Sequence, residues 1–326
     1  MAASAQTHPR RLVRGDQEAN HLHEFGQHAL PMLFNTPAPH VPHVTEIAEM
    51  NLISACGLPG TAKMSIGEML ATLDAWAKRV RDHTQQNVGK YLSGVTKFPS
   101  LAQFRVAAMI YVLTRHIGVR YNPAQVGSPD PNPPPMDDPE DAFIHGVLGP
   151  RKTGTCASLP VLLVAVGRRL GYPLKLVHSL AHCFCRWDAP DERFNIEWHE
   201  GGLNVHPDDY YKRWPFEWNW KIHQRERERP TLLISLAPQQ ELAGFALHRA
   251  AHLDLANRRD EAYASASVAY RLWPTHGHAV WMNHLLTKKA YPDRDFPHMP
   301  CEETASAEAI ERLKREKGAR MMQVSS

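Results

Sequence analysis

The segment from Leu159 to Leu170 restricts the fold of this chain more than any other. Leu159, Leu162, Leu163, Val166 and Leu170 recur at i, i+3, i+4, i+7 and i+11, the spacing of one helical face. Val161, Val164 and Ala165 fill other faces, so the helix is apolar nearly all round and belongs at the centre of a fold. Pro160 suits its first turn and Gly171 its exit.

Gly154-Thr155-Cys156 is followed at once by this helix, which is expected to hold Cys156 in its first turn. A thiol at a helix N-terminus meets unpaired amide hydrogens and the positive end of the helix dipole, and both favour the thiolate. Three short runs of strand type follow: Pro173 to Val177, His182 to Trp187 and Arg193 to Glu197. A turn containing Asp188-Ala189-Pro190-Asp191 joins the last two, so a helix is followed by an antiparallel hairpin, an α+β arrangement.

Strand alternation places His182, Phe184 and Arg186 on one face and Cys183 and Cys185 on the other. A histidine within reach of a thiolate pairs with it and later protonates a leaving group. A carboxylate beyond the imidazole fixes its tautomer and supports its charge. Cys156, His182 and Glu197 occur in the order that chemistry needs, with the Cys156 backbone amide as the expected oxyanion donor. Asn195 shares a strand face with Glu197 and is the alternative third member or support. Cys183 and Cys185 read as buried small hydrophobes, and a metal site built from them with histidines is the weaker reading. No metal and no cofactor are expected.

Five segments are expected around this core. Residues 1–42 carry five prolines and read as a flexible arm, and the histidines near the N-terminus, His21, His23, His28, His40 and His43, are incidental. Residues 43–122 form a helical N-terminal region, with a helix from Glu46 to Cys56, a capping box at Ser65 and Glu68, and a helix from about Ser100 to Ile117. Residues 123–140 are a proline-rich loop, residues 141–230 the core, and residues 231–326 a helical tail. In the tail, Ala262, Ala269 and Pro274 follow a helix from Glu241 to Asn257 in the manner of one tetratricopeptide repeat, with a plain helical hairpin as the simpler reading. Tyr210, Tyr211, Trp214, Trp218 and Trp220 either pack the tail on the core or wall a peptide groove.

Composition removes several functions. The net charge of +3, from 37 basic and 34 acidic residues without a long basic run, argues against nucleic acid. No apolar run approaches the ~20 residues of a membrane span. Five scattered cysteines and no visible signal-peptide core point to a reduced, cytoplasmic protein.

At these residues the chain resembles the transglutaminase-like superfamily of papain-related cysteine proteins. More narrowly, it is similar to bacterial members with a helical N-terminal region and a tetratricopeptide-like tail. The resemblance lies in Gly154-Thr155-Cys156-Ala157-Ser158-Leu159-Pro160-Val161-Leu162 and Val166-Gly167-Arg168-Arg169-Leu170-Gly171-Tyr172-Pro173. It continues through His182 and Arg193-Phe194-Asn195-Ile196-Glu197 to Gly201-Gly202, and is specific over about residues 140 to 215. It implies a Cys-His-Asp-type triad on Cys156, His182 and Glu197, with Glu197 standing where many members have Asp. It also implies a thioester intermediate whose acyl group passes to water or an amine. A peptide or protein substrate is expected, with hydrolysis as the outcome. The alternative is a non-catalytic scaffold that holds a protein partner through the helical tail.

Overall fold

The computed structural model describes residues 46–125, 137–199 and 202–290. The expected arm, its histidines, most of the proline-rich loop, Gly201 and the tail beyond residue 290 lie outside the described residues. What is described is a mixed helix and sheet fold.

Three helices come first: α1 (Ile47–Ala55), α2 (Ile66–Leu92) and α3 (Leu101–Tyr111). Side chains of Glu46, Ser65 and Ser100 accept the otherwise unpaired amides of Glu49, Glu68 and Gln103, and so fix where each helix starts. The helix predicted to reach Ile117 changes character: α3 gives way to a wider π-type turn over Val112–Ile117. That turn ends at Gly118, whose φ of 89° is one that glycine adopts without penalty. A two-residue strand β1 (Arg120–Tyr121) follows, then the short helices α4 (Pro139–Ala142) and α5 (Ile144–Leu148) and the strand β2 (Thr153–Gly154). The strands β1 and β2 pair in parallel, Tyr121 opposite Gly154.

The apolar segment forms α6 (Leu159–Arg169), whose residues Leu159 to Gly167 are all buried. It packs on α1, α2 and α5 and on the first two strands of an antiparallel sheet. That sheet runs in sequence order: β3 (Leu174–Ser179), β4 (His182–Asp188), β5 (Arg193–His199) and β6 (Gly202–Asn204). A Cβ on Gly167 would come within 2.4 Å of Leu174 Cδ1, so the absence of a side chain there sets how closely α6 approaches β3. The sheet divides two apolar clusters. Leu174, Leu176, Cys185 and Ile196 join the large cluster around α6. Val177 and Phe184 join Tyr211, Trp218, Ile222 and Leu233 on the other side.

The second cluster is closed by α7 (Asp208–Tyr211) and α8 (Trp220–Glu228), and the chain ends in α9 (Pro238–Leu255), α10 (Arg259–Leu272) and α11 (His276–Ala290). Small residues Ala246, Ala262, Ala266 and Ala269 are fully buried, and Ser265 Oγ donates to Ala246 O at 2.9 Å where α10 crosses α9. Two arginines fasten α9 to the earlier helices. Arg168 on α6 makes a two-pronged contact with the fully buried Glu241, at 3.1 and 2.5 Å. Arg249 on α9 donates to the Ser54 and Cys56 carbonyls at 2.9 and 2.6 Å, satisfying oxygens at the end of α1. Among the described residues no helix is long and apolar enough to cross a membrane.

Removing Arg168 leaves a buried carboxylate without its partner. Arg168→Ala should therefore lower stability by about 3 kcal/mol, read as a reduced urea midpoint at unchanged slope; an unchanged midpoint would show that the pair contributes nothing. The contacts of α9 also hold buried histidines. His178 on β3 lies 3.1 Å from where a Gly244 Cβ would stand, while His248 and His252 flank Phe143 at 6.5 and 5.9 Å. Burial first, then neighbouring histidines, pushes His178 down to about 3 and His248 and His252 to about 4. The unfolded chain, with histidines near 6.5, binds more protons in this range. Stability should be full above about pH 6.5 and fall as pH drops toward 4, measurable as a declining denaturation midpoint.

Candidate active site

Cys156 lies in a tight turn that leads into α6, three residues ahead of its first residue. This corrects the expectation of a cysteine in the first helical turn, and the cause is local. Thr155 and Ser158 hydroxyls bond nearby amides instead of leaving them to the helix: Thr155 N donates to Ser158 Oγ at 3.0 Å and Ala157 N to Thr155 Oγ1 at 3.2 Å. Both hydroxyls also donate to the Asp141 carbonyl at 2.8 Å, tying the turn to α4. The Leu159 amide already bonds the Thr155 carbonyl at 2.9 Å, so the turn enters the helix without a break. A Cβ on Gly154 would meet Ser158 Oγ at 2.6 Å and Val147 Cγ2 at 2.7 Å, so only glycine fits beneath the turn.

His182 opens β4 after a sharp reversal in which Ala181 takes a φ of 55°. Its Nε2 lies 2.7 Å from Glu197 Oε1, with both side chains over nine-tenths out of water. That contact leaves Nδ1 as the ring nitrogen available to Cys156, whose thiol the imidazole helps hold down. The Trp214 ring meets the imidazole edge-on at 4.6 Å, and Phe184 and Tyr211 lie parallel to it at 6.3 Å. These aromatic walls hold the ring's orientation and exclude water from around the pair.

Burial opposes both charges of a thiolate and an imidazolium, so the outcome depends on their mutual support. Burial pushes the Cys156 thiol up, but the hydrogen bond and positive charge of His182 outweigh it and hold the thiol below its ordinary value. Burial pulls His182 down, yet the Glu197 carboxylate and the bond to Cys156 raise it to about 10. Elsewhere burial wins: it drives Cys56 up to about 11 and Cys183 and Cys185 well above the usual thiol range. Of the described cysteines, Cys156 alone is held below its ordinary value.

Asn195 does not fill the third position it was offered. Its Oδ1 accepts from Arg186 Nε at 2.7 Å, and its amide donates to His206 O at 2.9 Å and Asp208 Oδ1 at 2.8 Å. The guanidinium of Arg186 is fully buried, and Asn195 is spent on satisfying it; Glu197, two residues along the same face, reaches the imidazole. Cys185 Sγ donates to the Pro160 carbonyl at 3.1 Å within the large cluster, and among the described residues no three His, Cys, Asp or Glu side chains could hold a metal. Of the aromatic group, Tyr211 and Trp218 are buried in the second cluster, Tyr210 and Trp214 lean on it, and Trp220 is exposed.

One contributor escaped the sequence reading. Burial foremost, and then Cys156, pushes the Tyr121 phenol up, and Tyr121 in turn helps hold the Cys156 thiol down. Tyr121 arrives through the β1–β2 pairing, and a two-residue parallel contact between distant segments leaves no periodicity to detect.

No curated protein and no solved structure matches the chain. Residues 67–222 match a family model described as the transglutaminase-like superfamily. The matched span runs from the start of α2 into α8 and encloses Cys156, His182 and Glu197.

Proposed function

We propose that this protein is a thiol acyl-transfer enzyme that hydrolyses peptide or isopeptide-like amide bonds through a thioester on Cys156. The observation that carries the reading is the 2.7 Å contact of Glu197 with His182 Nε2, which turns the opposite ring nitrogen toward the thiol. A scaffold would gain nothing from a thiol held below its ordinary range.

The steps follow from the charges. The Cys156 thiolate attacks the amide carbonyl carbon, an S–C bond forms, and the carbonyl π pair moves onto oxygen, facing the Cys156 amide hydrogen. The imidazolium gives its Nδ1 proton to the amide nitrogen, the C–N bond breaks and the amine departs. The neutral ring then takes a proton from water as the water attacks the thioester, and the thiolate is released with the carboxylic acid. Glu197 keeps its charge throughout and fixes the ring. Water is the acceptor adopted here because it is always present; an amine would enter by the same route. The α9–α10 hairpin, read as one tetratricopeptide-like unit, is the surface for a protein partner. The free thiols suit a cytoplasmic protein of bacterial type.

The primary test is acylation by p-nitrophenyl acetate followed by peptide mapping. One hydroxylamine-sensitive acetyl group should be found on Cys156 and none at that position in Cys156→Ala; labelling only at other residues would overturn the reading. The role of Glu197 is checked by the pH profile of iodoacetamide alkylation. In Glu197→Gln the imidazolium loses its nearest anion, so the Cys156 inflexion should move up and the rate at pH 6.5 should fall about tenfold, the equivalent of one pKa unit. Coincident profiles for the two proteins would remove Glu197 from the mechanism.

A further inference from the structure

Ser158 stands before α6 at the place where a serine hydroxyl ordinarily caps a helix, as Ser65 and Ser100 cap α2 and α3. It caps nothing here. Its hydroxyl makes no capping bond to α6 and turns back along the chain to accept from Thr155 N at 3.0 Å. The helix forgoes its usual cap, and the hydroxyl serves the segment that carries Cys156 instead.

That segment is clamped on both sides of Cys156. A hydroxyl has one hydrogen to give, and Thr155 Oγ1 and Ser158 Oγ both give theirs to the Asp141 carbonyl, each at 2.8 Å. Their lone pairs then receive the amides that flank Cys156, Thr155 N at 3.0 Å and Ala157 N at 3.2 Å. Asp141 is itself held. Its amide donates to Asp138 O at 2.9 Å, and its carboxylate accepts from Asn122 Nδ2 at 2.8 Å and Arg151 Nη2 at 3.2 Å. The Asn122 amide closes the circuit by donating to Gly154 O at 2.8 Å. Thr155, Ser158, Asp141 and Asn122 are all more than nine-tenths buried, and a buried network of satisfied hydrogen bonds is rigid.

We propose that Thr155 and Ser158 are positioning residues for the nucleophile, acting through the backbone of the turn to fix where the Cys156 sulfur and amide stand. The assignment rests on the acyl-transfer reading above. In that reading the attacking sulfur and the amide that receives the carbonyl oxygen belong to one residue. A shift of the turn therefore displaces both at once, and it weakens the support that the thiol draws from His182. Both hydroxyls are engaged within the network, so they act through Cys156 rather than on substrate.

The test follows iodoacetamide alkylation and p-nitrophenyl acetate acetylation of Cys156 on the full chain. Thr155→Val keeps the branched shape and removes the hydroxyl. Its alkylation inflexion should move up, and acetylation measured above that inflexion should slow by at least about tenfold, since a misplacement of about 1 Å costs about 100-fold. Thr155→Ser returns the hydroxyl and should recover the rate lost in Thr155→Val, while Ser158→Ala should reproduce the loss. Folded Thr155→Val and Ser158→Ala proteins that unfold in less urea but keep the wild-type inflexion and acetylation rate would overturn the proposal and leave the hydroxyls a role in stability alone. Should neither variant fold, proton NMR of the wild-type chain decides. The two hydroxyl protons held by Asp141 should exchange with water slowly enough to give separate signals, and exchange as fast as at exposed hydroxyls would contradict the clamp. A wild-type Cys156 that alkylates but never acquires an acetyl thioester would instead overturn the acyl-transfer reading, and this assignment with it.

Discussion

The 2.7 Å contact between Glu197 Oε1 and His182 Nε2 is the interaction on which the rest of the site depends. Both groups, and the thiol beyond them, are largely out of water, where an isolated charge costs several kcal/mol. In the proposed mechanism they act as a chain of alternating sign: carboxylate, imidazolium, thiolate. The same burial that would neutralise each alone strengthens their mutual attraction. Cys183 and Cys185, equally buried but without an imidazole, are pushed the other way.

The fold delivers this chain by two separate devices. The antiparallel register of β4 and β5 puts Arg186 opposite Asn195, and alternation then carries His182 and Glu197 to the same face of the sheet. Arg186, Asn195 and Asp208 bind the two strands to the segment entering α7, and Trp214 beyond that helix closes over the imidazole. Cys156 arrives from the other direction, on a turn fixed by Asp141 and Ser158 and set against the buried start of α6.

Much of this was legible in the chain because it rests on periodicity or short-range order. Leu159 to Leu170 announced a central helix, and the alternation from His182 to Trp187 separated the two faces of β4, Cys185 joining one apolar cluster and Phe184 the other. What stayed hidden depends on long-range placement or on competition for partners. Asn195 and Glu197 looked equivalent along the strand, and only the demand of buried Arg186 shows why Asn195 is unavailable. Tyr121 comes opposite Gly154 through a two-residue parallel pair, too short to leave a pattern. The step from Cys156 back out of the helix came from Thr155 and Ser158 hydroxyls competing for backbone amides, a local choice that hydrophobic spacing does not encode.

The proposed mechanism needs His182 to be a charged imidazolium paired with a thiolate while the protein is folded at neutral pH. Nitrogen-15 NMR of the His182 ring measures this directly. At pH 8, above an ordinary histidine and below the value of about 10 to which Glu197 and Cys156 raise this one, the account predicts that both ring nitrogens carry protons. A neutral ring at that pH, with one bare nitrogen, would contradict it.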